Sequence, residues 1–258
     1  MTLSVRIGLV DATYAGIDQA KLAEVAAALD LQVTRDLSRD WDVCATVQLL
    51  PYKHKIPQGV WPVFVVDKLP RGEGAFQTTA NHQPYAKVVA SPTWTIDASR
   101  VIVEMLVDPS GNRLHVAPAI EIQHDGVGDA PGELAYLVEA CSPCPDELAY
   151  SIDGYAVSDF ITPDYYDGHG TRFSFTGAIT RPRQIVDGGH LSYLDVHTDV
   201  VMQLEPPALI ELGSPTGKSL RALVDENRST KRRGVPAKVT AQHEALAAAA
   251  RAHAARYA

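Results

Sequence analysis

Only three cysteines occur among the 258 residues, Cys44, Cys141 and Cys144. So sparse and odd a set excludes a disulfide-stapled scaffold at this size and fits a reducing compartment, with the cytoplasm as the default. No apolar run reaches the roughly 18 residues expected of a membrane-spanning helix. Met1 leads directly into the strand-like Ser4-Val5-Arg6-Ile7-Gly8-Leu9-Val10, without a basic region followed by an apolar one, so neither a signal peptide nor a membrane span is expected. Positive charge is also scarce. Lys and Arg number 23 against 31 Asp and Glu, and the net charge of -8 disfavours general attraction to nucleic acid phosphates. The small basic cluster Lys231-Arg232-Arg233 reads as a solvated linker. What remains, 46% hydrophobic and 21% charged, is an ordinary globular composition, enough for one large domain or two small ones.

Periodicity predicts a strand at residues 4 to 10, then a helix from Asp18, its N-cap, with Leu22, Val25, Ala26, Leu29 and Val33 at helical spacing. Strands over Cys44 to Leu49 and Val60 to Val66 follow, the second bounded by turn residues. Residues Gly74 to His82 suit an exposed edge strand, and Ala86 to Ala90 is a short apolar run. The next helix runs from Ile96 to Val107, capped by Thr95 and stopped by Asp108-Pro109-Ser110-Gly111-Asn112. It is apolar on most faces, as a central buried helix is.

From Leu114 to Pro207 the signals are mainly short strands and turns. Tyr150-Ser151-Ile152 and Tyr155-Ala156-Val157 flank the hairpin turn Asp153-Gly154. Arg172 to Ile179 and His190 to Leu194 continue the β pattern. After Pro206-Pro207 the character changes to helix: one over Ser219 to Asn227, a basic break at Ser229 to Pro236, and an Ala-rich helix from Ala237. That last helix has high propensity but few large side chains, so it is expected to be a peripheral arm contacting a partner.

Several stretches are distinctive rather than compositional. Among them are Gln83-Pro84-Tyr85-Ala86, Glu104-Met105-Leu106-Val107-Asp108-Pro109-Ser110-Gly111-Asn112-Arg113, Val157-Ser158-Asp159-Phe160-Ile161-Thr162-Pro163 and Gly189-His190-Leu191-Ser192-Tyr193. On these, most of residues 1 to 205 resembles a bacterial family of zincin-like proteins whose central helix typically reads Ser-His-Glu-x-x-Glu-Met-Leu. Side chains four apart share a helix face, so His at the first position and Glu at the fifth can hold one metal ion, with the intervening Glu as general base on metal-bound water. The resemblance places those roles on Arg100, Val101 and Glu104, and a further ligand on Glu139 within Val138-Glu139-Ala140-Cys141-Ser142-Pro143. Arg100 keeps its proton and offers no lone pair, and Val101 accepts no proton. Only the distal carboxylate, Glu104, survives, and an internal Arg100–Glu104 ion pair is the preferred reading.

Weaker signals resolve toward structure. Cys141-Ser142-Pro143-Cys144 has the spacing of half a zinc site or a redox pair, but Cys44 alone cannot complete four thiolates, so two unlinked structural thiols are expected. His115, His124, His169, His190 and His197 lack a two-His ligand spacing and read as surface or turn residues. Gly213-Ser214-Pro215-Thr216-Gly217-Lys218-Ser219 is one residue short of a phosphate-binding loop. Ser158-Asp159 reads as a strand end, and Asp164 and Asp167 as turn residues.

The expectation is an α+β chain. A zincin-like mixed sheet with a central helix and a β-rich half occupies residues 1–207, and a helical C-terminal extension residues 208–258. Arg100, Val101, Glu104 and Glu139 are vestigial motif positions, with no cofactor and no catalytic residue expected. The function this implies is that of a catalytically inactive binding or structural component, joined to a protein partner or a second copy through its C-terminal helix. Two alternatives stay open: a metal-dependent hydrolase with relocated ligands, and a subunit of a larger assembly such as a phage particle or defence complex.

Overall fold

The run Ile7-Gly8-Leu9-Val10 is buried throughout, which requires a strand covered on both faces inside a sheet. The computed structural model describes residues 4–51, 55–69, 75–78, 83–123 and 126–232. In it β1 (Val5–Asp11) lies between two parallel neighbours, β2 (Ala45–Leu50) and β3 (Val60–Val66). Strands are close here: a Cβ on Gly8 would fall 2.3 Å from Leu50 Cδ1, and that side chain would have to shift. Beyond β3 come the parallel β5 (Pro84–Val89) and, antiparallel at the outer edge, β4 (Phe76–Thr78), giving the order β2-β1-β3-β5-β4. β4 falls inside the stretch expected to form an edge strand.

Asp18 caps α1 (Gln19–Leu31) by accepting from the Lys21 amide at 2.9 Å. The helix continues through a π-helical stretch, Gln32–Leu37, into α2 (Ser38–Trp41). Gln32, at the start of that stretch, is fully buried and spans the core. Its amide donates to the Ser158 carbonyl at 2.9 Å, and its carbonyl oxygen accepts from Ser99 Oγ at 2.7 Å.

The central helix, α3 (Trp94–Val107), begins two residues before the expected start, with Thr93 rather than Thr95 at the N-cap position. The Thr95 hydroxyl instead donates to the Ala156 carbonyl. Twelve of its 14 residues are buried, so it has no solvent face and must be packed all round. It lies against β3, β5 and the second strand of a hairpin, β8 (Tyr150–Ile152) and β9 (Tyr155–Val157). The hairpin turns on Asp153-Gly154, both at positive φ, as the sequence signal requires.

A second, antiparallel sheet follows α3. It comprises β6 (Leu114–Gln123), β7 (Gly126–Leu137), β10 (Leu191–Asp195), β11 (Val200–Glu205) and β12 (Ala208–Gly213), in the order β12-β11-β10-β7-β6. The one-turn helix α4 (Asp164–Asp167) packs on β6. Finally α5 (Leu220–Arg232) lays Leu220 and Val224 on Leu137 and Val201 of this sheet. The architecture is a mixed α+β one, with α3 buried beside the parallel sheet.

Four expectations are corrected. β6 and β7 are long strands of 10 and 12 residues rather than short ones. Residues 172 to 179 form no strand, only a bridge between Ile161 and Ser174. Their donors are drawn off by side chains: the Thr176 amide and hydroxyl bond Asp159, and the Ile179 amide bonds Ser174 Oγ. Ala208–Gly213, assigned to a helical extension, is a strand hydrogen-bonded to β11. The helix beyond it runs to Arg232, without the break expected from Ser229. The Ala-rich segment from Ala237 lies outside the described residues.

Candidate functional site

Arg100 and Glu104 share α3, one turn apart, yet they do not pair with each other. Each grips the same loop, residues 138 to 146, which leaves β7 and wraps the helix. Glu104 accepts from the Ala140 amide at 3.0 Å and the Cys141 amide at 2.8 Å. Arg100 donates to the Cys141 carbonyl at 2.5 Å and the Cys144 carbonyl at 2.9 Å, and pairs with Asp146 at 2.8 Å. The Cys141 residue is thus held at its N–H by one side chain and at its C=O by the other. The expected Arg100–Glu104 pair fails because the loop offers each group partners of the right polarity nearer to hand.

The cation that neutralises Glu104 comes instead from α5. Arg221 Nη1 lies 2.9 Å from Glu104 Oε2 and 3.9 Å from Glu139 Oε1, while Nη2 donates to the Val138 carbonyl at 2.7 Å. All three side chains are under 8% exposed. The α5 terminus is fixed by the turn after α3, where the Leu220 amide donates to Asn112 Oδ1 and the Arg221 amide to the Gly111 carbonyl. That is what aims the guanidinium inward.

Glu139 is the second residue after β7, with a wholly buried side chain. It accepts from Ser142 Oγ and from the Ser192 amide, both at 3.0 Å. His190 Nε2 stands 3.6 Å from Glu139 Oε1 and has no hydrogen-bond partner. Burial pushes the Glu139 pKa up, but His190, Arg221 and the Ser192 contact outweigh it and hold the carboxyl at about 2. For Arg221, burial pulls downward and the facing carboxylates Glu104 and Glu139 prevail, so its pKa is raised. Glu139 is therefore ionised beside a permanent cation.

Of the four sequence-predicted positions, Glu104 and Glu139 converge on Arg221. Arg100 faces the loop carbonyls, and Val101 is buried in the apolar core. The zinc that the resemblance implies does not fit these residues. Arg100 has no lone pair to give, Val101 offers no base, and Glu104 is engaged by two amides and a guanidinium. Among the described residues no group of three or more His, Cys, Asp or Glu is arranged to hold a metal ion.

Sequence reasoning missed Arg221 and misread His190, which is 8% exposed rather than a surface residue. The available signal for Arg221 was its place inside Leu220-Arg221-Ala222-Leu223-Val224, where a lone charge among apolar neighbours points to burial with a partner. His115 meets Asp167 at 2.7 Å in a half-exposed pair, while His169 and His197 are exposed. Cys141 and Cys144 are free and buried, and burial raises both thiol pKa values, so neither is a ready nucleophile. The phosphate-loop-like stretch joins an antiparallel strand to α5, and Lys218 is turned to Glu226 at 2.7 Å. Among the described residues no helix is long and apolar enough to cross a membrane. No family model, curated protein or solved structure matches the chain, so the assignment of this centre stands on the chain's own geometry.

Proposed function

We propose that the chain is a catalytically inactive zincin-like protein that serves as a binding or structural component. The observation that carries this reading is the use of the motif-bearing helix: Glu104 and Arg100 together staple loop 138–146 to α3 through its amides and carbonyls. A zincin helix would present these positions to metal and water. Here Val101 stands where the general base would be and is packed in the core. An α+β body with the antiparallel strand β4 at the edge of a parallel sheet suits the same family resemblance.

On this reading the protein works by contact, and the Ala-rich residues 236–258 are the contact segment, toward a second copy or a protein partner within a larger assembly. Deleting them should leave a folded core of lower assembly state in light scattering. A truncated chain that unfolds, or a full-length chain that is already monomeric, would remove the self-association arm. Stoichiometric zinc in the purified protein, with peptidase activity above background, would instead establish the metal-dependent hydrolase.

A further inference from the structure

Two buried carboxylates, Glu104 and Glu139, face one guanidinium nitrogen. The same guanidinium donates to the Val138 carbonyl on another side, and His190 Nε2 borders the cluster 3.6 Å from Glu139 Oε1. Buried carboxylates need compensation, and a cation supplies it most fully beside the amides that already donate to them. The partners are arranged for a planar cation with divergent N–H groups: one carboxylate at 2.9 Å, a second at 3.9 Å and a carbonyl at 2.7 Å. A carboxylate on one terminal nitrogen and a carbonyl on the other match guanidinium geometry, which a compact metal ion does not reproduce, and the second carboxylate adds a longer-range charge contact.

We infer that the centre where the resemblance expects zinc is in this chain a guanidinium site, formed by Glu104, Glu139 and the Val138 carbonyl, with Arg221 as its tethered occupant. The cation arrives on α5, whose apolar anchorage at this face is the small cluster of Leu220 and Val224 against Leu137 and Val201. Arg221 therefore does two things at once: it balances the carboxylates and it locks α5 to the core. The site differs from a metal site in selectivity, because it reads shape and several hydrogen-bond directions rather than coordination by lone pairs.

The inference stands on this geometry and not on the contact role proposed above, and chemical rescue tests it separately. Arg221→Ala removes the guanidinium and leaves a cavity beside two carboxylates. Its melting temperature should fall below that of the parent and rise again with low-millimolar guanidinium chloride, but not with sodium chloride at equal ionic strength or with zinc chloride. The parent protein should show no such rise. If the variant is unfolded on its own, regain of the far-ultraviolet circular dichroism signal on adding guanidinium is the same result. Glu104→Gln/Glu139→Gln/Arg221→Met, which lacks all three charges, should fold and be indifferent to guanidinium. Stabilisation of Arg221→Ala by zinc and not guanidinium would overturn the inference in favour of a plugged metal site. The absence of any response to guanidinium, folded or unfolded, would overturn it outright.

Discussion

Two ion pairs begin within four residues of each other at the start of α5, and they differ in nearly everything but sign. Lys218 reaches Glu226 at 2.7 Å with 48% and 33% of the side chains exposed. Arg221 reaches Glu104 at 2.9 Å with 4% and 7% exposed. The first pair gives up little hydration and gains little, since water screens it. The second has surrendered its hydration almost entirely, so each partner depends on the other and on the amides and carbonyl that complete its shell. Distance alone does not rank them; burial and the number of further hydrogen bonds do.

The comparison breaks most sharply if Arg221 is dispensable. Arg221→Met should lower the unfolding free energy by about 3 to 5 kcal/mol, the cost of leaving a buried charge without its partner. Glu104→Gln/Arg221→Met should lose less than the sum of its single substitutions in a urea-denaturation cycle. A loss for Arg221→Met no larger than that of a surface substitution would show the pair to be incidental.

The next effect is in pH. The Glu139 carboxyl is held at about 2, below its ordinary value of 4.5, so its contribution is fully present above the ordinary value and is lost as pH falls toward about 2. Such a shift corresponds to about 3 kcal/mol. Asp159 acts with the opposite sign, because burial raises its pKa and the loss of its charge on acidification favours the fold. Glu139→Gln should therefore have a flatter stability profile between pH 5 and pH 2 than the parent, measured by denaturant midpoints across that range. Parallel profiles would mean that Glu139 is not held as an ion.

The smallest effect sharpens the contrast. Lys218→Ala should change stability by less than about 1 kcal/mol, with little further change in high salt, because the pair is already screened. A cost comparable to that of Arg221→Met would make exposure irrelevant to the difference.

Much of the fold was legible where its signals are local. Asp18 caps α1, Val60–Val66 matches its strand end to end, and Asp153-Gly154 closes its hairpin. The burial of α3 also followed from its lack of a polar face. The candidate site was half legible: Glu104 and Glu139 stood out through the resemblance, but Arg221 did not, because its partners lie far off in the sequence and neither period nor propensity reports such a contact. Arg100–Glu104 was misjudged for a related reason. Helical spacing says that two side chains can meet, and says nothing of a loop from elsewhere that satisfies both. Arg172 to Ile179 looked like a strand by composition, but Asp159 and Ser174 took the donors that a ladder would have used.

The Arg221 contact with the Val138 carbonyl spans 83 residues of chain. During synthesis the loop, α3 and both carboxylates therefore leave the ribosome well before the residue that balances them. Until α5 emerges, Glu104 and Glu139 lack the guanidinium that faces them in the finished protein, although the Ala140 and Cys141 amides are already at hand for Glu104. Closure of the centre is thus a late event in the life of the nascent chain, so that ordering of this part of the core is coupled to completion of residues well beyond it.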